Sequence, residues 1–212
     1  MANGKGLFKL LIAVPTFETI DPEVFKAIYK LYIPSIVSKT DFEFVRGYDC
    51  ARARNEICQK ALDGNYDYVL TIDSDVVVPE HTLASFFDKN PGDVLLGVYP
   101  RKDGSHKTEI FSFSDTNYTE TNRYGMDDLK KMADIHESYR MKVRGGGFGC
   151  ALIDVDLLKK LNKPWFLYVT YPNGAALSED LYFCEKVGNS GGSIYVDTRV
   201  FCGHVAKHTV YD

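Results

Sequence analysis

The chain has 212 residues, of which 45% are apolar and 25% charged, enough for one full-sized hydrophobic core in an ordinary folded protein. Its net charge of −4 offers no general attraction to a phosphate backbone and argues against broad nucleic-acid binding, although a local basic groove is compatible with it. The five cysteines, Cys50, Cys58, Cys150, Cys184 and Cys202, include no CxxC pair and are odd in number, which fits reduced thiols in the cytoplasm better than a zinc site or a disulfide framework.

Lys5 and the run Leu7 to Val14 imitate a signal peptide, but Lys9 interrupts the run, Pro15 ends it and no small-residue cleavage site follows. The run is therefore read as a first strand closed by Pro15-Thr16. Asp21-Pro22-Glu23 opens a helix, with Asp21 as N-cap, and Val24, Ile28, Leu31 and Tyr32 recur at helical spacing up to Pro34. Phe42 to Val45 reads as a short second strand, Arg46 to Asp49 as a loop, and the chain from Ala51 as a helix capped by Gly64.

A buried strand then runs into Asp73, a helix covers Pro79 to about Asp88, and Val94 to Tyr99 is a further strand. Strands alternating with helices predict parallel pairing with right-handed crossovers. Residues 101–141 are polar and read as an excursion over the sheet, compatible with an active-site cover or a plain surface insertion. The glycine run Gly145 to Gly149 leads into an apolar strand rather than a helix, so it is expected to let a ligand approach the backbone rather than to cradle phosphate in the usual way. Asp156 to Leu161 is a short helix, Ser178 caps a helix carrying Glu179 and Asp180 in its first turn, and Ser193 to Val196 is a late strand. No stretch is long enough to cross a bilayer.

The chemistry centres on Ile72-Asp73-Ser74-Asp75. Side chains two apart on an extended segment share a face, so Asp73 and Asp75 are expected to turn to one point past the strand end, where open α/β sheets bind ligands. Two adjacent carboxylates without a counter-charge would force a proton onto one of them, and a hard divalent cation that leaves positions for a diphosphate resolves the conflict. The bland alternative is a pair of solvated turn acids.

In order, these pieces resemble the GT-A glycosyltransferases, especially the small family 2-like bacterial and phage members. The resemblance is carried by Val14-Pro15-Thr16, Ala53-Arg54-Asn55, Ile72-Asp73-Ser74-Asp75, the Gly-rich strand ahead of Trp165-Phe166, Ser178-Glu179-Asp180 and Gly203-His204. It spans nearly the whole chain and implies a single α/β domain with a Rossmann-like, mostly parallel sheet flanked by helices. Residues 1–100 would be the nucleotide-binding half, and residues 101–212 the acceptor-side half with a metal-binding histidine.

The activity it implies is metal-dependent transfer of a hexose-type sugar from a nucleotide-sugar, UDP-linked by default with GDP second, to the hydroxyl of an unidentified glycan, protein or small-molecule acceptor. Mn2+, or Mg2+, would be held by Asp73, Asp75 and His204, with His208 the weaker match. Pro15, Thr16, Asp49, Arg54, Asp73, Ser74, Arg101 and Gly147 are assigned to the nucleotide-sugar, and Lys102 and Lys207 are further basic candidates for the leaving diphosphate. Asp180 matches the catalytic base of inverting relatives, with Glu179 as its neighbour, while the histidine also suits retaining ones.

Two other enzymes place carboxylates on such a fold. A nucleotidyltransferase would carry a Gly-rich basic loop after its first strand, where this chain has Pro15-Thr16-Phe17-Glu18, and a haloacid-dehalogenase-type phosphatase would place its DxD after the first strand, not the third. A noncatalytic binding protein that kept the fold is the third alternative.

Overall fold

A computed structural model describes residues 7–47, 49–113, 118–119, 122–135, 139–172 and 174–206, so Lys5, Lys207 and His208 lie outside the described residues. In chain order the elements are β1 (Phe8–Thr16), α1 (Pro22–Tyr29), β2 (Val37–Arg46), α2 (Cys50–Asp63), β3 (Tyr68–Ile72), β4 (Val76–Val77), α3 (Thr82–Phe86) and β5 (Val94–Val98). They continue with β6 (Lys107–Phe111), β7 (Arg123–Gly125), α4 (Met126–Ile135), β8 (Arg140–Val143), β9 (Gly145–Gly146), β10 (Cys150–Asp154) and α5 (Val155–Lys160). The last are β11 (Val169–Thr170), β12 (Ala176–Leu177), α6 (Glu179–Asn189), β13 (Ile194–Phe201) and β14 (Gly203–His204).

The main sheet has seven strands in the order β2-β1-β3-β10-β5-β13-β8. β1 pairs in parallel with β2 and β3, and β13 with β5, while β10 runs antiparallel between β3 and β5 and β8 antiparallel beside β13. Five of the seven strands thus share a direction, which makes the sheet mostly parallel, but β10 and β8 depart from the parallel pairing expected from sequence. Apolar runs carry no sign of strand direction, and Cys150–Asp154 has the length and composition to take a central place in either sense.

Both faces of the sheet are covered, which is why its strands are apolar throughout. Alternation splits them cleanly. Leu11, Ala13 and Val69 face one core with α2, α5 and α6, whereas Leu10, Ile12, Leu70 and Ile72 face the other with Val24 of α1 and Leu83 and Phe86 of α3. Pro15 lies inside β1 rather than ending it; pairing with β3 stops at Ala13, so at Pro15 only β2 remains as a neighbour and the missing N–H breaks no bond to β3. β2 starts at Val37, earlier than its apolar residues suggest, because it is an edge strand and Ser38 to Asp41 meet solvent.

The segment after Pro100 is only partly an excursion. β6, β7 and β9 form a separate small sheet, yet Ile110, Phe111 and Leu129 are buried and β8 closes the edge of the main sheet. Ser178 occupies the N-cap of α6, but its side chain makes no capping hydrogen bond.

The glycine run serves the protein's own packing. A Cβ on Gly146 would stand 2.8 Å from both Ile110 and Leu96, and one on Gly147 would stand 2.1 Å from the Tyr99 hydroxyl oxygen. Close approach is thus required by neighbouring side chains, chiefly Tyr99, and not only by a ligand as the sequence suggests. Gly147→Ala should therefore cost about 1–3 kcal/mol of overpacking, lowering Tm by roughly 2–4 °C per kcal/mol. Adding Tyr99→Phe, which removes the clashing oxygen, should restore part of the loss; a double variant no more stable than the single one would refute this account.

Candidate active site

The C-terminal ends of β1 and β3 and the start of α2 enclose a cleft of about 260 Å³ lined by Pro15, Thr16, Asp49, Asp73, Ser74 and Asp75 among others. Asp49 caps α2 by accepting the Arg52 N–H at 2.7 Å. A second cleft of about 450 Å³ is lined by Tyr99, Arg101, Glu109, Arg123, Gly147 and Asp180, with Phe111 and Tyr118 in its wall. The residues assigned to the donor therefore fall in two groups, with Arg54 between them.

Arg54, on the first turns of α2, is 3% exposed. Its guanidinium meets Asp73 at 2.9 and 3.2 Å and also hydrogen-bonds Glu179 and Asp180. The floor beneath is aromatic. Phe166 stacks on Phe183 at 4.5 Å with Phe148 edge-on to both, and the guanidinium lies 6.0 Å from the Phe166 ring. Asn55, the next residue on α2, holds this floor in place: its amide donates to the Phe166 carbonyl at 2.7 Å and accepts from the Trp165 and Phe166 N–H groups at 2.9 and 3.2 Å. The Arg54-Asn55 pair thus ties α6, β3 and the Trp165-Phe166 segment to one helix.

Burial disfavours the Arg54 charge, but Asp180, Asp73 and Glu179 outweigh that and raise its pKa well above the ordinary value. One guanidinium cannot balance three carboxylates. The excess shows at Asp180, whose pKa is pushed up to about 7 by burial, lowered by Arg54, raised by Glu179 and Asp73 and lowered again by the Phe148 N–H. That N–H reaches Asp180 Oδ2 at 3.2 Å. Glu179 is 5% exposed and faces Arg54, whereas Asp180 reaches the second cleft.

Asp75 lives in different surroundings. β3 ends at Ile72, so Asp73 and Asp75 sit on a turn beyond the strand; both line the first cleft, but their partners differ. Asp73 goes to Arg54; Asp75 is bonded by Lys102 and faces His204 Nε2, which lies 3.5 Å from its Oδ1. Burial works against ionisation of Asp75, yet the His204 and Lys102 contacts prevail and bring its pKa down to about 2. Among the described residues no group of three or more His, Cys, Asp or Glu side chains is gathered in a form that could hold a metal.

His204 reaches Asp75 because β14 pairs antiparallel with β4, setting His204 opposite Val76, while the Val205 N–H donates to the Asp75 carbonyl at 2.8 Å. Its Nδ1 lies 2.7 Å from the Pro100 carbonyl oxygen. A carbonyl only accepts, so Nδ1 carries a proton, and Nε2 is the ring nitrogen left to face Asp75.

Sequence reading missed three features of this site. Tyr99 lies edge-on to His204 at 5.3 Å and accepts the Gly149 N–H at 3.2 Å, Pro100 orients His204, and Glu109 pairs with Arg123 inside the second cleft. Tyr99 and Pro100 close the apolar strand at Val94 to Tyr99, and their place at a strand end was the available signal.

No family model and no curated protein matches the sequence. Solved structures do. A197 from STIV is 18% identical over 94% of this chain and 86% of that one, with a TM-score of 0.62. GalNAc-T7 with UDP, GalNAc and Mn2+ is 10% identical, with a TM-score of 0.64 over 95% of this chain and 44% of that one. S. aureus TarS 1–349 in complex with UDP-GlcNAc is 16% identical, with a TM-score of 0.52 over 96% and 62%. The chain therefore spans less than half of the GalNAc-T7 chain and under two thirds of the TarS one, and at these identities the likeness is one of fold. That fold is the GT-A-like fold of glycosyltransferases: a mixed seven-stranded sheet with flanking helices in a single domain.

Proposed function

We propose that the chain is a metal-dependent glycosyltransferase of the hexosyl class that moves a sugar from a UDP-linked donor to an acceptor hydroxyl. The observation that carries this reading is the Asp75–His204 pair. The Asp75 carboxylate and His204 Nε2 face each other at 3.5 Å, the other ring nitrogen being committed to the Pro100 carbonyl. A proton on Nε2 makes the two an ion pair, and a divalent cation between them would be held by the same two groups. The separation suits two ligands each about 2.1 Å from one ion, and a histidine whose other nitrogen donates to a backbone carbonyl is the usual form of a metal ligand. A nitrogen ligand favours Mn2+ over the more strictly oxygen-seeking Mg2+.

Asp75 and His204 would hold the cation, which when bound stabilises charge on the departing diphosphate. Asp73 is the acid nearest the Arg54 cage, and we assign it with Pro15, Thr16, Asp49 and Ser74 to the nucleotide end of the donor, on the strength of the first cleft they line. Arg101 and Gly147 line the second cleft, where the sugar and the acceptor hydroxyl would meet. Arg54 and Glu179, both buried, are positioning residues: they hold Asp180 at the edge of that cleft.

Asp180 is the base. Its Oδ1 is engaged by Arg54, and its Oδ2 accepts a single backbone N–H. A carboxylate with a pKa near 7 takes a hydroxyl proton far more readily than an ordinary one. Proton acceptance by Asp180 as the hydroxyl attacks the anomeric carbon gives inversion. No helix among the described residues is long and apolar enough to cross a membrane. A cytoplasmic setting is supported by the five free thiols.

The base must be ionised to act, so with a pKa of about 7 the transfer rate kcat/KM should rise as pH passes upward through about 7 and then level off. Asp180→Asn should remove that limb and lower transfer by about 10²–10⁴-fold while UDP affinity is retained; equal losses of transfer and of UDP binding would mark Asp180 as structural only. At the other pole, Asp75→Asn and His204→Ala should each weaken Mn2+-supported UDP binding by at least the roughly 10–100-fold that losing an orienting partner costs. Unchanged affinity by calorimetry in either variant would remove that residue from the cation site.

A further inference from the structure

The two acids of the Asp73-Ser74-Asp75 turn each carry a cationic partner, and the partners are of opposite kinds. Asp73 has Arg54, 3% exposed and fixed among three carboxylates. Asp75 has Lys102, whose side chain is 41% exposed. A buried guanidinium held by several carboxylates cannot be withdrawn without leaving uncompensated charge. An exposed ammonium on a flexible stem can be withdrawn at little cost.

Lys102 projects from a turn closed by the Arg101 N–H to the Lys107 carbonyl at 2.9 Å and by a bridge between Pro100 and Thr108. Its backbone is thus anchored, and what can move is the four-carbon side chain. Lys102 bonds Asp75 Oδ2, while His204 faces Oδ1, so both carboxylate oxygens are engaged. A divalent cation seated on Asp75 and His204 would meet this ammonium as a like charge beside it.

We propose that Lys102 is a displaceable counter-ion that holds the Asp75 carboxylate until a diphosphate arrives, and that it then passes to the diphosphate as the divalent cation takes its place. This rests on the cation site proposed above. Cation and nucleotide then bind as a coupled pair: the diphosphate provides both oxygens for the cation and an anionic berth for the ammonium it displaces. Without a diphosphate the cation must evict Lys102 into water. Lys102 thereby makes the site selective for cation together with diphosphate over cation alone.

Calorimetric titration of Mn2+ into the wild type, Lys102→Met and Lys102→Arg, with and without UDP, tests this. Lys102→Met keeps the stem and removes the charge; it should bind Mn2+ alone roughly two- to fivefold more tightly, the scale of a half-exposed ion pair. The factor by which UDP strengthens Mn2+ binding should shrink correspondingly, while Lys102→Arg should behave as the wild type. Mn2+ affinity in Lys102→Met that is equal to or weaker than in the wild type overturns the proposal and leaves the Asp75–His204 site standing. Failure of the wild type to bind Mn2+ even with UDP overturns both.

Discussion

The structure turns on one buried guanidinium. Arg54 gathers Asp73 from the end of β3 and Glu179 and Asp180 from the start of α6, three acids that would repel each other without it. Helix α2 can deliver that charge because Asn55 fastens the Trp165-Phe166 segment to the same turn, and the stacked Phe166 and Phe183 rings exclude water from beneath. In such surroundings each ion pair is stronger than at the surface, and any imbalance is more costly. The imbalance here is negative, and it adds, through Glu179 and Asp73, to the burial that raises the pKa of Asp180.

The Pro100–Lys102 segment plays the corresponding part for Asp75 and His204. It follows β5 directly, at the same end of the sheet as Asp73, and touches both groups: Pro100 through its carbonyl and Lys102 through its ammonium. Charge at this end of the sheet is therefore handled in two ways. One acid cluster is locked and shielded by a buried guanidinium, and the other is met by a half-exposed ammonium.

Much of this was legible in residues 1–100, because β1 and β3 are apolar on both faces and the first helix between them is capped by Asp21; the Asp49 cap of α2 lay in what reads as a loop. What sequence could not convey was direction and partnership. The antiparallel seat of β10 between β3 and β5 follows from long-range pairing that no local pattern encodes. The helix expected from Pro79 to Asp88 shortens to Thr82–Phe86, and the β11–β12 hairpin, two residues per strand, is too short to show any periodicity. Asp73 and Asp75 were singled out by residue type and spacing, and Asp180, Arg54 and His204 by the resemblance to GT-A glycosyltransferases. Their grouping into an Arg54 cluster and an Asp75–His204 pair depended on where β3 ends, at Ile72, and on the long-range β4–β14 pairing that sets His204 opposite Val76.

The link between the two clefts is electrostatic. Asp73 lines the first and Asp180 the second, and both bind the same guanidinium. Any positive charge that a ligand brings near Asp73 lessens the excess of negative charge on the cluster and so lowers the pKa of Asp180, while an anion placed there raises it. A carboxyl pushed up to about 7 sits where such a change alters its ionised fraction most. A charge placed in the first cleft would thereby be felt at Asp180 in the second through a single buried side chain.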